Sequence, residues 1–184
     1  ANWSSVNPWI VTLSDQVYFM FFHHIALVAI FIFGRNDASD QRRYISSLSL
    51  CYLLGAATYY ILPAKGPAFY DPETFSYLRQ HARFTLGIQN LLRSSTDAAI
   101  RGDLELVQTY AFIAAMPSLH MAHETIMLFF SRRSPLMLLF SGLFWVASLG
   151  AVLVLGWHYL FDVLGGILLA VLVLSLVYWL PQWR

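Results

Sequence analysis

The sequence predicts an all-α, polytopic transmembrane helix bundle with about five spans and a long extramembrane loop that carries short helices. Three observations point there. Of 184 residues, 58% are hydrophobic and 11% charged, whereas an ordinary soluble domain carries about 25% charged residues. Mean hydropathy is +0.59, so lipid is the natural solvent for most of this surface. Apolar runs also recur near the roughly 20 residues that a helix needs to cross a bilayer core. Six Trp and ten Tyr suit the headgroup belts at membrane interfaces.

Taken in order, span A covers Val17 to Phe33 and span B Tyr44 to Leu62. A polar connection follows from Pro63 to Met116, long for a link inside a compact bundle. Pro67, Pro72, Gly87 and Gly102 break it, and Glu73–His81 and Phe84–Leu92 suit short surface helices. Span C opens at Pro117 and ends near Phe130, D runs Pro135–Leu155 and E runs Tyr159–Leu180. Span C reaches only about 21 Å at about 1.5 Å per residue, less than the roughly 30 Å hydrocarbon core. Its first residues therefore sit in a recess that a lipid headgroup can reach. No repeat or heptad pattern divides residues 1–184, which read as one membrane-embedded domain.

Charge orients the bundle. Arg35, Arg42 and Arg43 lie between A and B, Arg132 and Arg133 between C and D, and Arg184 at the C-terminus. Five alternating spans put these on one face, which the positive-inside rule makes cytoplasmic. The long loop and the turn at Trp157-His158 then face the other side, so the expected active site of this multi-pass protein is non-cytoplasmic. A formal net charge of +1 and a lone cysteine, Cys51, give no basic field for nucleic acid and no intramolecular disulfide.

Three clusters on that outer face carry chemistry. Pro63-Ala64-Lys65-Gly66-Pro67 holds the only lysine, a point charge for a phosphate or a snorkelling side chain. Met116-Pro117-Ser118-Leu119-His120 opens a helix whose free N–H groups and dipole suit an anion. Ser118 adds a hydroxyl and His120 a titratable proton. Glu124, four residues on, shares a helix face with His120 and is expected to orient it. Gly156-Trp157-His158 leads into Asp162, again at four-residue spacing, where a carboxylate fixes an imidazole tautomer and frees the other nitrogen. Together these make the inventory for phosphoryl transfer through a phosphohistidine.

On Lys65, Pro117-Ser118-Leu119-His120 and His158-Tyr159-Leu160-Phe161-Asp162, the chain resembles the type 2 phosphatidic acid phosphatase superfamily over about Leu62 to Gly166. Leu119 and His158-Tyr159 resemble its inositol phosphorylceramide synthase-like branch. The resemblance implies His158 as nucleophile, Asp162 as its orienting carboxylate and His120 as the acid for the leaving oxygen. It implies Lys65 and Ser118 on the phosphate, no metal and no cofactor. The implied substrate is a lipid phosphate, with water, a lipid alcohol or a polyol as acceptor. The family's usual arginines fall at Val152 and Pro72 and its serine at Ala151, which leaves Arg79, Arg83 and Arg93 as substitutes. The family's sixth span falls upstream of Ala1 or on the stretch Trp3–Leu13.

Two other classes fit parts of the sequence. A haem carrier would use His23, His24, His120, His123 and His158 and leave Lys65, Ser118 and Asp162 without a role. A non-catalytic scaffold would explain the missing arginines. His23 and His24 read as bundle-packing or lipid-lining residues, and Tyr18-Phe19-Met20-Phe21-Phe22 as lipid-facing packing.

Overall fold

The computed structural model describes residues 6–107 and 114–179; Trp3, Leu180 and Arg184 lie outside the described residues. Every regular element among them is helical: α1 Pro8–Phe19, α2 Phe21–Gly34, α3 Ala38–Ile61, α4 Pro67–Tyr70, α5 Leu78–His81, α6 Arg83–Arg101, α7 Leu119–Ser131, α8 Pro135–Val154 and α9 Leu160–Trp179, with a 3-10 turn at Leu104–Leu106.

Local sequence explains where the helices start. Asn7 caps α1, accepting from the Trp9 N–H at 3.3 Å, with Pro8 at the first turn. Asp37 caps α3 through the N–H groups of Ser39 and Asp40. Ser118 and Ser134 cap α7 and α8. Helix α6 has no cap of its own; Asp15 of α1 accepts from the N–H groups of Phe84 and Thr85, at 3.0 and 2.8 Å. Such bonds satisfy the orphan donors of a helix start. Here the bond also clamps the long connection onto α1.

Helices α3, α8 and α9 are each long and apolar enough to cross a membrane, and α1 with α2, bent by 44°, make a fourth such element if the pair counts as one span. The expected span A is thus the second part of a bent pair beginning at Pro8. Expected span C does not reach spanning length. It is α7, 13 residues long, with Met121, Ala122, Ile126, Met127 and Phe130 buried. Around it pack α2, α3, α8 and α9. The short helices expected in the long connection are present, and the one starting near Phe84 runs on to Arg101.

One end of the bundle gathers the basic residues. Arg133 donates to both oxygens of Asp40, at 2.9 and 3.1 Å. The Arg43 guanidinium lies 4.6 Å from the Tyr178 ring centroid, and Arg132 donates to the Tyr178 hydroxyl. The opposite end holds the close of α3 and the openings of α7 and α9, the stretches singled out for chemistry.

Candidate active site

Four hydrogen bonds tie those stretches together. The Ala115 N–H donates to the Ala64 carbonyl at 3.0 Å, and the Ala68 N–H to the Gly156 carbonyl at 2.9 Å. The Ser118 N–H donates to the Asp162 carbonyl at 2.9 Å. His158 Nδ1 lies 2.9 Å from the Ala115 carbonyl oxygen. The lysine cluster, the α7 opening and the α9 opening are therefore parts of one frame. Two glycines allow the approach. A Cβ on Gly66 would strike the Trp157 carbonyl, and one on Gly166 the Ser118 carbonyl. Gly66 falls in the lysine cluster and Gly166 one turn beyond Asp162, so the sequence placed small residues where backbones had to touch.

Inside the frame is a cavity of about 310 Å³ lined by His120, His123 and His158, with Tyr18, Tyr52, Tyr59 and Trp157 among the surrounding rings. A carbonyl oxygen only accepts, so His158 carries its proton on Nδ1 and leaves the Nε2 lone pair free. Burial pushes the His158 pKa down to about 4, with the Ala115 carbonyl opposing that shift. Asp162 stands 3.8 Å from Nδ1. This is ion-pair range rather than a hydrogen bond, because its Oδ2 accepts from the Tyr159 N–H at 2.7 Å at the start of α9. Asp162 is thus both a helix cap and the carboxylate nearest the imidazole.

His120 stacks on Tyr18, centroids 4.6 Å apart at 15°, and Tyr18 stacks in turn on Trp157 at 5.1 Å and 9°. Phe21 covers His120, with centroids 3.9 Å apart. No hydrogen-bond partner meets the buried Nε2 of His120.

Several expected roles meet a different geometry. Glu124 does not orient His120: its Oε2 lies 2.9 Å from His24 Nδ1, and both residues are buried. The Ser118 Oγ accepts from the Met121 N–H at 3.3 Å, capping α7, and the residue is fully buried and not among those that line the cavity. Lys65 is exposed and is not among the residues that line the cavity, although its neighbour in sequence, Gly66, is. Arg79 is exposed and lies 3.7 Å from Glu73, and Arg83 is exposed at the start of α6. Arg93 comes nearest of the three, donating to the Ala68 carbonyl and lying 5.3 Å from the Phe69 ring, which lines the cavity. Val152, where the arginine would fall, is buried among apolar side chains.

The sequence reading gave His123 a role only in the haem-carrier alternative and assigned Trp157 and the tyrosines no part in the phosphoryl-transfer site. His123 is three residues after His120, a spacing that shares a helix face; its Nδ1 donates to the Leu119 carbonyl at 2.7 Å. Tyr18 and Phe21, read as lipid-facing, are cavity walls, while Phe19 and Met20 are exposed. Their outward neighbours made the run look uniform. Among the described residues no group of three His, Cys, Asp or Glu side chains is placed to hold a metal ion.

Fold and cavity define a class: a helical integral membrane protein with histidines converging on a pocket at one end. Residues 1–176 match the family model of the PAP2 superfamily, and the chain belongs to that superfamily. Its members are usually phosphatases or phosphotransferases, and a phosphorylated lipid is the substrate class they imply. No curated protein and no solved structure matches the chain.

Proposed function

We propose that the chain cleaves or transfers the phosphoryl group of a lipid phosphate through a phosphohistidine on His158. One observation carries this reading: His158 gives its Nδ1 proton to the Ala115 carbonyl and so presents a bare Nε2 in the cavity that also holds His120. Nε2 attacks phosphorus, the bond to the leaving oxygen breaks with its electron pair, and His120 supplies the proton to that oxygen. Asp162, 3.8 Å from Nδ1, offsets the positive charge on the phosphorylated ring. Water or an alcohol then attacks phosphorus, the P–N bond breaks, and its electron pair returns to Nε2 while His120 takes the proton. Lys65, next in sequence to the cavity-lining Gly66, meets the phosphate, with Arg93 the nearest guanidinium. The basic end of the bundle supports a cytoplasmic placement for the Arg43–Arg133 face and a non-cytoplasmic one for the cavity.

A second reading is transfer of a phospho-headgroup to a lipid or polyol alcohol, in the manner of the inositol phosphorylceramide synthase-like branch. The observation that favours it is the wall of apolar rings around the histidines, which disfavours bulk water as acceptor.

The test is a panel of lipid phosphates, diphosphates and phosphodiesters, with and without alcohol acceptors, using purified protein in nanodiscs. Phosphate release or a headgroup-transfer product seen by mass spectrometry, lost in His158→Ala and His120→Ala variants that elute like wild type, supports the reading. Wild-type turnover by a folded His158→Ala protein would eliminate it.

A further inference from the structure

The cavity lining contains no lysine or arginine among the described residues, yet a phosphate group needs donors on its non-reacting oxygens. Of the side-chain donors in the lining, one is a buried indole nitrogen without a partner. The Trp157 indole Nε1–H is buried and unbonded, on a residue that is 7% exposed and lines the cavity. An indole nitrogen only donates, and a buried donor without an acceptor is costly. Stacking fixes its ring: Tyr18 lies parallel at 5.1 Å and Phe69 tilts against it at 5.8 Å. The next residue is His158, and the Trp157 N–H and carbonyl are also engaged, one with the Val152 carbonyl at 3.0 Å and the other against Gly66. Two other donors nearby are engaged: the Tyr59 hydroxyl donates to the Pro117 carbonyl at 3.1 Å, and Arg93 to the Ala68 carbonyl.

We infer that the Trp157 indole N–H is a substrate-binding donor to a non-bridging phosphate oxygen, a neutral group serving a lining that holds no lysine or arginine. This inference rests on the phosphoryl-transfer reading above. A neutral donor held by ring stacking orients the oxygen while leaving the net charge of the site unchanged.

Two measurements test it. Trp157→Phe keeps an aromatic ring for Tyr18 and deletes the N–H. Loss of one hydrogen bond to a charged oxygen is expected to lower kcat/KM by about 10- to 100-fold, with the retained near-ultraviolet circular dichroism showing an intact ring stack. The second measurement needs no turnover: inorganic phosphate is titrated into wild-type protein carrying 15N-labelled tryptophan, and the indole signal missing from Trp157→Phe is followed. A saturable downfield proton shift of that signal supports the inference; a signal that stays in place, or a folded Trp157→Phe protein with wild-type kcat/KM, overturns it. Activity that requires His158 while the Trp157 signal does not respond sinks the donor alone. Absence of His158-dependent turnover on every substrate sinks the phosphoryl-transfer reading, and the titration still decides whether Trp157 meets phosphate.

Discussion

The contact between Gly166 and Ser118 gives the sharpest structural prediction. Gly166 sits inside α9, where alanine would ordinarily gain about 1 kcal/mol in helix propensity. Here the added Cβ meets the Ser118 carbonyl oxygen and carbon and approaches the Ala122 nitrogen. All three are backbone atoms, so no rotamer change relieves the clash. The opening of α7 must move off α9, and the Ser118 N–H bond to the Asp162 carbonyl stretches with it. Overpacking of this kind costs about 1–3 kcal/mol, and the lost hydrogen bond adds about 1 kcal/mol. After the propensity gain, Gly166→Ala should destabilise by about 2 kcal/mol, lowering Tm by roughly 4–8 °C for a chain of this size. Gly87, in α6 with no atom within 4 Å of a Cβ built there, is the control: Gly87→Ala should hold or raise Tm. Thermal unfolding in one detergent, followed by circular dichroism, reads both variants. If Gly166→Ala melts at or above the wild-type temperature, α7 and α9 do not touch as described, and the frame that joins Ser118 to Asp162 fails with them.

Two further predictions concern buried ionisable groups. His158 has its pKa depressed to about 4 by burial, so the acidic limb it imposes on kcat/KM should fall near pH 4 rather than near the ordinary imidazole value of about 6.5. The unfolded chain takes up this proton first. The group therefore leaves stability undiminished above about pH 6.5 and erodes it as pH falls toward 4; a Tm-against-pH series should be flatter in that window for His158→Gln. Glu124→Ala breaks the buried pair with His24 and should cost about 3–5 kcal/mol, whereas Glu124→Gln keeps a polar partner for His24 and should cost less; comparing their Tm values checks the pair.

Much of the fold was legible because bilayer length and helix-start chemistry act locally. Pro135 marks the start of α8, and the apolar runs of α3, α8 and α9 approach spanning length on their own, whereas the Asp37 cap went unread and α3 starts at Ala38, six residues before the expected Tyr44. The bend at Met20 was not legible, since residues 17–33 read as one apolar run and nothing in that stretch breaks a helix strongly. The site was legible to the extent that its groups lie at helix openings: His120, His158 and Asp162 come with four-residue spacings or helix-start signals. Partner choice was not. Glu124 had His120 on its own face and His24 across the bundle. The longer-range partner prevails because α2 packs against α7 and supplies a buried imidazole at 2.9 Å. Ser118 caps its own helix and is not among the residues that line the cavity.

The distribution of satisfied and unsatisfied polar atoms ties the fold to its chemistry. Midway along the bundle a chain of hydrogen bonds crosses from α2 to α7 and α8. Ser131 donates to the Met127 carbonyl, so its oxygen must accept from Ser141 at 2.8 Å. Ser141, its proton thus used, accepts from His24 Nε2 at 3.0 Å. That fixes one proton on His24 Nε2, and a second proton is held in the bond between its Nδ1 and Glu124. Helix α7 is too short to be held by a bilayer-matched apolar length, and this chain fixes its depth from within. At the cavity end, the His120 and His123 Nε2 atoms and the Trp157 Nε1 atom are buried without partners, on three residues that line one cavity. Buried polar atoms without partners also occur elsewhere, at Ser47 Oγ, Thr85 Oγ1, Thr96 Oγ1, Glu124 Oε1 and Ser148 Oγ, but the three on His120, His123 and Trp157 belong to residues around a single cavity, where a polar ligand is able to pair them. With no carboxylate among the cavity-lining residues, an anionic ligand meets no like charge there.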